Sequence, residues 1–122
     1  MYERHEIGKI GEDIACRYLL QEGYKIIERN FECLQGEIDI IAKDKNYLVF
    51  IEVKTRTNKI YGEAKEAVDK PKKKHIYRSA EYYVYIHKLE NEPIRIDVIE
   101  VYKRKEKYFV NHIKQAITEK QK

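Results

Sequence analysis

Two short segments carry residue types that can do chemistry. Gly36-Glu37-Ile38-Asp39-Ile40-Ile41 sets two acids among apolar residues. Phe50-Ile51-Glu52-Val53-Lys54-Thr55-Arg56 sets one acid and two cations at the end of the most apolar stretch of the chain. Asp44-Lys45-Asn46 between them reads as a turn. If Lys45 and Asn46 are a two-residue hairpin tip, Asp44 pairs with Tyr47, and every opposed pair has the same sum of residue numbers. Asp39 then faces Glu52, and Glu37 faces Lys54. Opposed side chains share a face about 5 Å apart at Cβ, and residues two apart in a strand share it too. One face would carry Glu37, Asp39, Glu52 and Lys54. A one-residue slip of the turn would separate Asp39 from Glu52.

Opposed carboxylates repel unless something neutralises them, and charge in an apolar strand is costly. A divalent cation would do so. Mg²⁺ takes hard oxygen ligands, with one or two carboxylates beside water and substrate phosphate; Mn²⁺ is the alternative. A neighbouring lysine could orient or deprotonate an attacking water, or stabilise developing charge. Such an assembly suits phosphodiester cleavage. The competing reading is structural, with Glu37–Lys54 and Asp39–Lys54 as cross-strand ion pairs on a wet edge.

The elements that must hold these residues follow from periodicity. Residues 5–22 read as an amphipathic helix with Ile7, Ile10, Ile14, Tyr18 and Leu19 inward, closed by Gly23. Gly8 and Gly11 weaken its first turns, so the spacing allows a start near Gly11. Residues 24–33 read as a strand and Leu34-Gln35-Gly36 as a turn. Residues 37–43 read as a second strand with Ile38, Ile40 and Ala42 on one side. Residues 47–55 are the strongest strand, apolar enough to be central and covered on both faces. Residues 57–62 are a polar loop, and 63–68 a short helical turn. A second helix runs from Asp69, with Pro71 in its first turn, to about Lys88. Its inner stripe is Ile76, Ala80, Tyr83, Val84 and His87. Strands follow at 94–102 and 108–113. The order implies an α/β fold, a mixed sheet between helices.

Composition bounds the rest. A chain of 122 residues is one domain, with a core over about 5–113 and a polar, frayed tail at 114–122. Two Pro and five Gly leave no flexible linker. The 25 Lys+Arg against 21 Asp+Glu give a net charge of +4, a weak pointer to an anionic partner. No run is long and apolar enough for a membrane span. The N-terminus, Met1 to Glu6, has no apolar signal core, so a cytoplasmic protein is expected. Cys16 and Cys33 make no metal spacing and suit a reduced core.

At its hairpin the chain resembles the PD-(D/E)XK nuclease superfamily, whose site is an acid, a spacer and Glu-x-Lys. Within it the chain is most similar to the YraN-like bacterial proteins, related in fold to archaeal Holliday junction resolvases. Five blocks over residues 8–102 carry the likeness. They are Gly8-Lys9-Ile10-Gly11-Glu12, Gly36-Glu37-Ile38-Asp39, Val49 to Arg56, the second helix at Ala67, Val68, Lys72, Ile76 and Ala80, and Ile96-Asp97-Val98. The resemblance implies a restriction-endonuclease-like α-β-β-β-α-β core. It implies Asp39 and Glu52 as metal ligands with the Val53 carbonyl, Lys54 positioning the nucleophilic water, and Glu12 as an extra acid of the site. Ile38 stands where the superfamily often has Pro. The function implied is a Mg²⁺-dependent endonuclease on DNA, branched or damaged; the alternative is a non-catalytic nucleic-acid-binding module.

Around this centre, Glu37 is expected to pair with Lys54 or Arg56. Lys70, Lys72, Lys73, Lys74, His75 and Arg78 form the densest basic cluster. Lysines at a helix start oppose the helix dipole, a local cost that phosphate contact would explain. Lys54, Arg56 and Lys59 would extend this surface. Tyr47, Tyr61 and Tyr77 could stack on bases, but no pattern selects among them. Asp97 reads as a surface residue, and the four histidines form no ligand set. A homodimer through the last strands, as in the resolvases, is the second partner considered beside DNA.

Overall fold

The computed structural model describes the backbone of residues 4–56 and 70–117, and the side chains of 8–56 and 74–117. The chain runs α1 (Arg4–Gln21), β1 (Lys25–Cys33), β2 (Gly36–Asp44), β3 (Tyr47–Arg56), α2 (Lys70–Ile86), β4 (Ile94–Arg104) and β5 (Lys107–Ile113). The five strands form one sheet in the order β1-β2-β3-β4-β5. Only the β3–β4 pair is parallel, joined by the α2 crossover; the other three are antiparallel. This is the α/β core with a mixed sheet that the sequence implies. The segment 57–69, where a polar loop and a short helical turn are expected and where Lys59 and Tyr61 fall, lies outside the described residues.

The hairpin tip is as expected. Asp44 pairs with Tyr47, and Lys45 takes the left-handed backbone that a two-residue turn needs. The β3 strand is central, and its burial is nearly continuous from Leu48 to Glu52.

Each face of the sheet is covered by one helix. Ala15, Cys16 and Leu19 of α1 pack on Ile40, Ala42, Val49, Ile51, Ile99 and Val101. Ile76, Ala80, Tyr83 and Val84 of α2 pack on Ile38, Ile41, Leu48, Phe50 and Ile96. His87 is not part of the inner stripe; it is exposed and stacks on Tyr83, with ring centroids 4.1 Å apart.

α1 matches the bounds of its sequence reading, and its buried line is shifted. It begins at Arg4, in line with the 5–22 reading, so the two glycines do not shorten it to a start near Gly11. Its fully buried line runs through Gly11, Ala15 and Leu19, while Ile10, Ile14 and Tyr18 are half-buried. Small residues let the helix approach closely: a Cβ on Gly11 would overlap the Thr55 side chain of β3. The tail also differs. Gln115 and Ala116 donate backbone hydrogen bonds to β4, and Ile117 is buried beside α2. The chain continues onto the sheet through 117, four residues past the expected core end at 113; 118–122 lie outside the described residues.

Candidate metal centre

The site is created by a local twist in the β1–β2 ribbon. Asn30 has a left-handed backbone, φ 55°. Arg29 pairs with Ile40 and Phe31 with Ile38, so Asn30 and Asp39 stand opposite one another between two regular pairs. Residues two apart normally share a face, yet here they do not. Arg29 reaches the α1 acids Glu12 and Asp13, while Phe31 meets Tyr83 edge-to-face under α2. Ile40 is in the α1 core and Ile38 in the α2 core. This corrects the simple alternation expected of Ile38, Ile40 and Ala42.

The twist carries the start of β2 away from β3. The β2–β3 ladder ends at Ile40↔Ile51, one residue short of an Asp39↔Glu52 pair. Glu37 consequently has Glu32 of β1 as its neighbour, not Lys54, and its side chain is exposed. In the gap, the Asp39 carboxylate takes the place of the missing strand: the Val53 N–H donates to its Oδ2 at 2.8 Å. The Val53 carbonyl leaves the strand on the same edge as its N–H.

Glu52 follows Phe50 by two in an unbroken register against β4, so it stands on the α2 face of β3. It is only 5% exposed. Lys54 Nζ lies 3.4 Å from Glu52 Oε1. Asp39 therefore sits between the buried Glu52 and the α1 acid Glu12. Its pKa is pushed up to about 7, first by burial, then by the Glu52 charge; the Val53 N–H opposes this, and Glu12 and Glu37 add to it. Glu12 is also raised, mainly by burial and against the pull of Arg29 at 3.5 Å.

The donor set fits a hard cation. A half-buried carboxylate, Asp39, stands near a buried one, Glu52, and burial and like charge oppose its ionisation. Among the described residues no three or more His, Cys, Asp or Glu side chains are gathered closely enough to hold a metal by themselves.

The basic residues are split. Gly36, at the start of β2, packs under His75 and Ser79. The N-terminal half of α2 therefore stands at the Asp39 end of the sheet, with Lys74 and Arg78 exposed. The side chains of Lys70, Lys72 and Lys73 lie outside the described residues. Arg56 stays on the α2 face of β3, beyond Lys54, with Nη2 4.0 Å from Glu100 Oε2.

Glu100 went unnoticed in the sequence. It is buried at the β4 position in register with Lys54, and its Oε1 accepts from Tyr102 Oη and Asn111 Nδ2, each at 2.8 Å. An acid inside the alternating strand 94–102 was the available signal. A second missed network lies on the α1 face. Asp97, fully buried, accepts from Arg95 Nε at 3.0 Å, His112 Nε2 at 2.7 Å and the Gln115 N–H at 2.9 Å. Arg95 continues to Asp44 at 3.1 Å and to the Tyr24 hydroxyl at 2.6 Å, and His112 Nδ1 meets the Tyr18 hydroxyl at 2.8 Å. Asp97 is thus no surface residue, and His112 is its partner.

Comparison with known proteins places the chain. The family model described as "Uncharacterised protein family UPF0102" matches residues 11–101. The chain belongs to this family. It is 52% identical over 96 residues to a UPF0102 protein of Clostridium kluyveri, covering 79% of each chain. It is 47% identical over 113 residues to a UPF0102 protein of Caldanaerobacter subterraneus, covering 90% of this chain and 93% of that one. The YraN-like likeness seen in the sequence is therefore one of family. The matched stretch contains Glu12, Asp39, Glu52, Lys54 and Glu100 of this UPF0102 protein.

Proposed function

We propose that this UPF0102 protein is a metal-dependent nuclease of the PD-(D/E)XK type that hydrolyses DNA phosphodiester bonds. The observation that carries the reading is the gap between β2 and β3. There Asp39 leans on the Val53 N–H beside the buried Glu52 and Lys54, an arrangement with excess buried negative charge. Asp39, Glu52 and the Val53 carbonyl would hold Mg²⁺ or Mn²⁺, which supplies a polarised phosphate and a more acidic bound water. Lys54, tethered to Glu52, orients the attacking water and keeps positive charge beside the phosphate. Glu12, paired with Arg29 at 3.5 Å, would act on the site through its charge, from a helix whose approach depends on Gly11 against Thr55. Arg56, Lys74 and Arg78, with Lys70, Lys72 and Lys73 in the first turn of α2, supply cations for the DNA backbone. Glu37 sits at the rim, beyond the twist. Free cysteines fit a reducing, cytoplasmic setting. No described helix is long and apolar enough to cross a membrane. A homodimer remains part of the proposal: β5 is a sheet edge with Phe109 and Ile113 exposed.

The test is a cleavage screen with Mg²⁺ and Mn²⁺ over duplex, single-stranded, flapped and four-way DNA. Metal-dependent nicking is expected, with losses of roughly 100-fold or more in Glu52→Gln and Lys54→Ala. Full activity in those variants would remove the site assignment. Salt-sensitive DNA binding without cleavage under any divalent metal would make the protein a binding module instead.

A further inference from the structure

The α2 helix has an outer face that neither core nor metal centre uses. Its inner side is Ile76, Ser79, Ala80, Tyr83 and Val84. Opposite these, at three- and four-residue steps, stand Lys74, Arg78, Tyr82 and Tyr85, all exposed. Tyr85 is 72% exposed and Tyr82 39%. Tyr82 is steadied by Phe31, with ring centroids 6.5 Å apart. Glu81 is the helix's sole acid and also lies on this side. The stripe has polarity: cations come first, at the end where His75 and Ser79 pack on Gly36, and aromatic rings follow. From Lys74 to Tyr85 it spans about 16 Å.

We propose that this face is a track for single-stranded DNA, with phosphates on Lys74 and Arg78 and bases stacked on Tyr82 and Tyr85. Cations aligned with exposed aromatic rings match both parts of an unpaired strand, its charged backbone and its open base faces. Duplex DNA keeps its bases stacked internally and offers only phosphates to this face. The track begins at the Asp39 end of the sheet, so an unpaired arm leaving the proposed metal centre meets the cations before the rings. It rests on the nuclease reading for its biological role and narrows the substrate to DNA with a single-stranded segment. Glu81, one turn from both Arg78 and Tyr85, repels phosphate and confines the backbone contacts to the Lys74 end of the stripe.

The binding experiment needs no metal and no catalysis. A labelled oligothymidine of about 20 nucleotides and a hairpin duplex are titrated with the full chain in EDTA, reading fluorescence anisotropy at several salt concentrations. Tyr82→Ala with Tyr85→Ala is expected to weaken oligothymidine binding roughly ten-fold or more, while Phe at both positions keeps it, because Phe retains a stacking face. Duplex binding should stay within about two-fold. Lys74→Gln with Arg78→Gln should flatten the single-strand salt slope by about 1.4. Tyr85→Ala alone, remote from the core, serves if the double variant loses its fold. Unchanged oligothymidine binding in the Ala variants, or an equal loss on duplex, overturns the track. Cleavage without this Tyr dependence removes the track alone; Tyr-dependent binding without cleavage removes the nuclease reading alone.

Discussion

Asp39 and Asp97 occupy the two strands that flank β3, and both carboxylates are withdrawn from water, yet their surroundings treat them oppositely. Asp97 meets a guanidinium, an imidazole and a backbone N–H. Burial would raise its pKa, but the hydrogen bonds from His112, Arg95 and Gln115 outweigh burial and hold it below the ordinary carboxylate value. Asp39 meets one backbone N–H and faces Glu52, Glu12 and Glu37, so burial and like charge push it up to about 7. The first environment is complete without a ligand. The second is left short of positive charge. A buried acid reads as structural when its donors are already present and as a binding group when they are missing.

The largest effect should come from breaking the complete network. Asp97→Ala leaves Arg95 and His112 facing a buried hole and should cost about 3–5 kcal/mol in urea unfolding. A loss under about 1 kcal/mol would show that the network is dispensable. Asp39→Asn in metal-free protein should be neutral or stabilising, because it removes a charge that the fold leaves uncompensated.

The next effect sharpens the contrast through pH and metal. A carboxylate with a raised folded pKa stabilises the fold fully below its unfolded value of about 3.8 and loses that contribution as pH climbs through about 7. Metal-free protein should therefore lose thermal stability between roughly pH 4 and 7 on account of Asp39. Asp97 has the opposite sign: its contribution is present above the unfolded value and falls away only as pH drops through the lowered folded value. Adding Mg²⁺ at about 100 times its dissociation constant should restore about 2.7 kcal/mol at neutral pH. Calorimetry of the parent and Asp39→Asn proteins, with and without Mg²⁺, reads both slopes. An identical pH slope in the two proteins would refute the uncompensated state of Asp39.

The smallest effect probes how far the complete network extends. Tyr18→Phe removes one hydroxyl from His112 Nδ1 and should cost about 0.5–1.5 kcal/mol, leaving the proposed DNA cleavage at the parent's level. A fall in cleavage would couple the two regions across β3.

Much of the centre was legible because it depends on local rules. The Lys45–Asn46 tip determined the β2–β3 register, and the apolar run of β3 determined its central place. The twist at Asn30 and Asp39 was not legible: Asn tolerates a left-handed backbone but does not demand it. Without that twist, strict alternation placed Ile38 beside Ile40 and Glu37 beside Lys54. The Asp97–His112 pair escaped notice because its members are joined only by the β4–β5 register and the turn at Gln115. Gly11 read as a weakness of α1, whereas its value lies in the approach to Thr55, a contact between residues far apart in the chain.

The sequence by itself determined the element order, the hairpin register up to Ile40↔Ile51, the acid and lysine types at the centre and the basic start of α2. These follow from periodicity, turn chemistry and side-chain type, which act over a few residues. Tertiary structure alone decided which buried acid is satisfied and which is not. Burial and donor supply at one carboxylate are set by groups from other strands and helices: Val53, Glu52 and Glu12 around Asp39, and Arg95, His112 and Gln115 around Asp97.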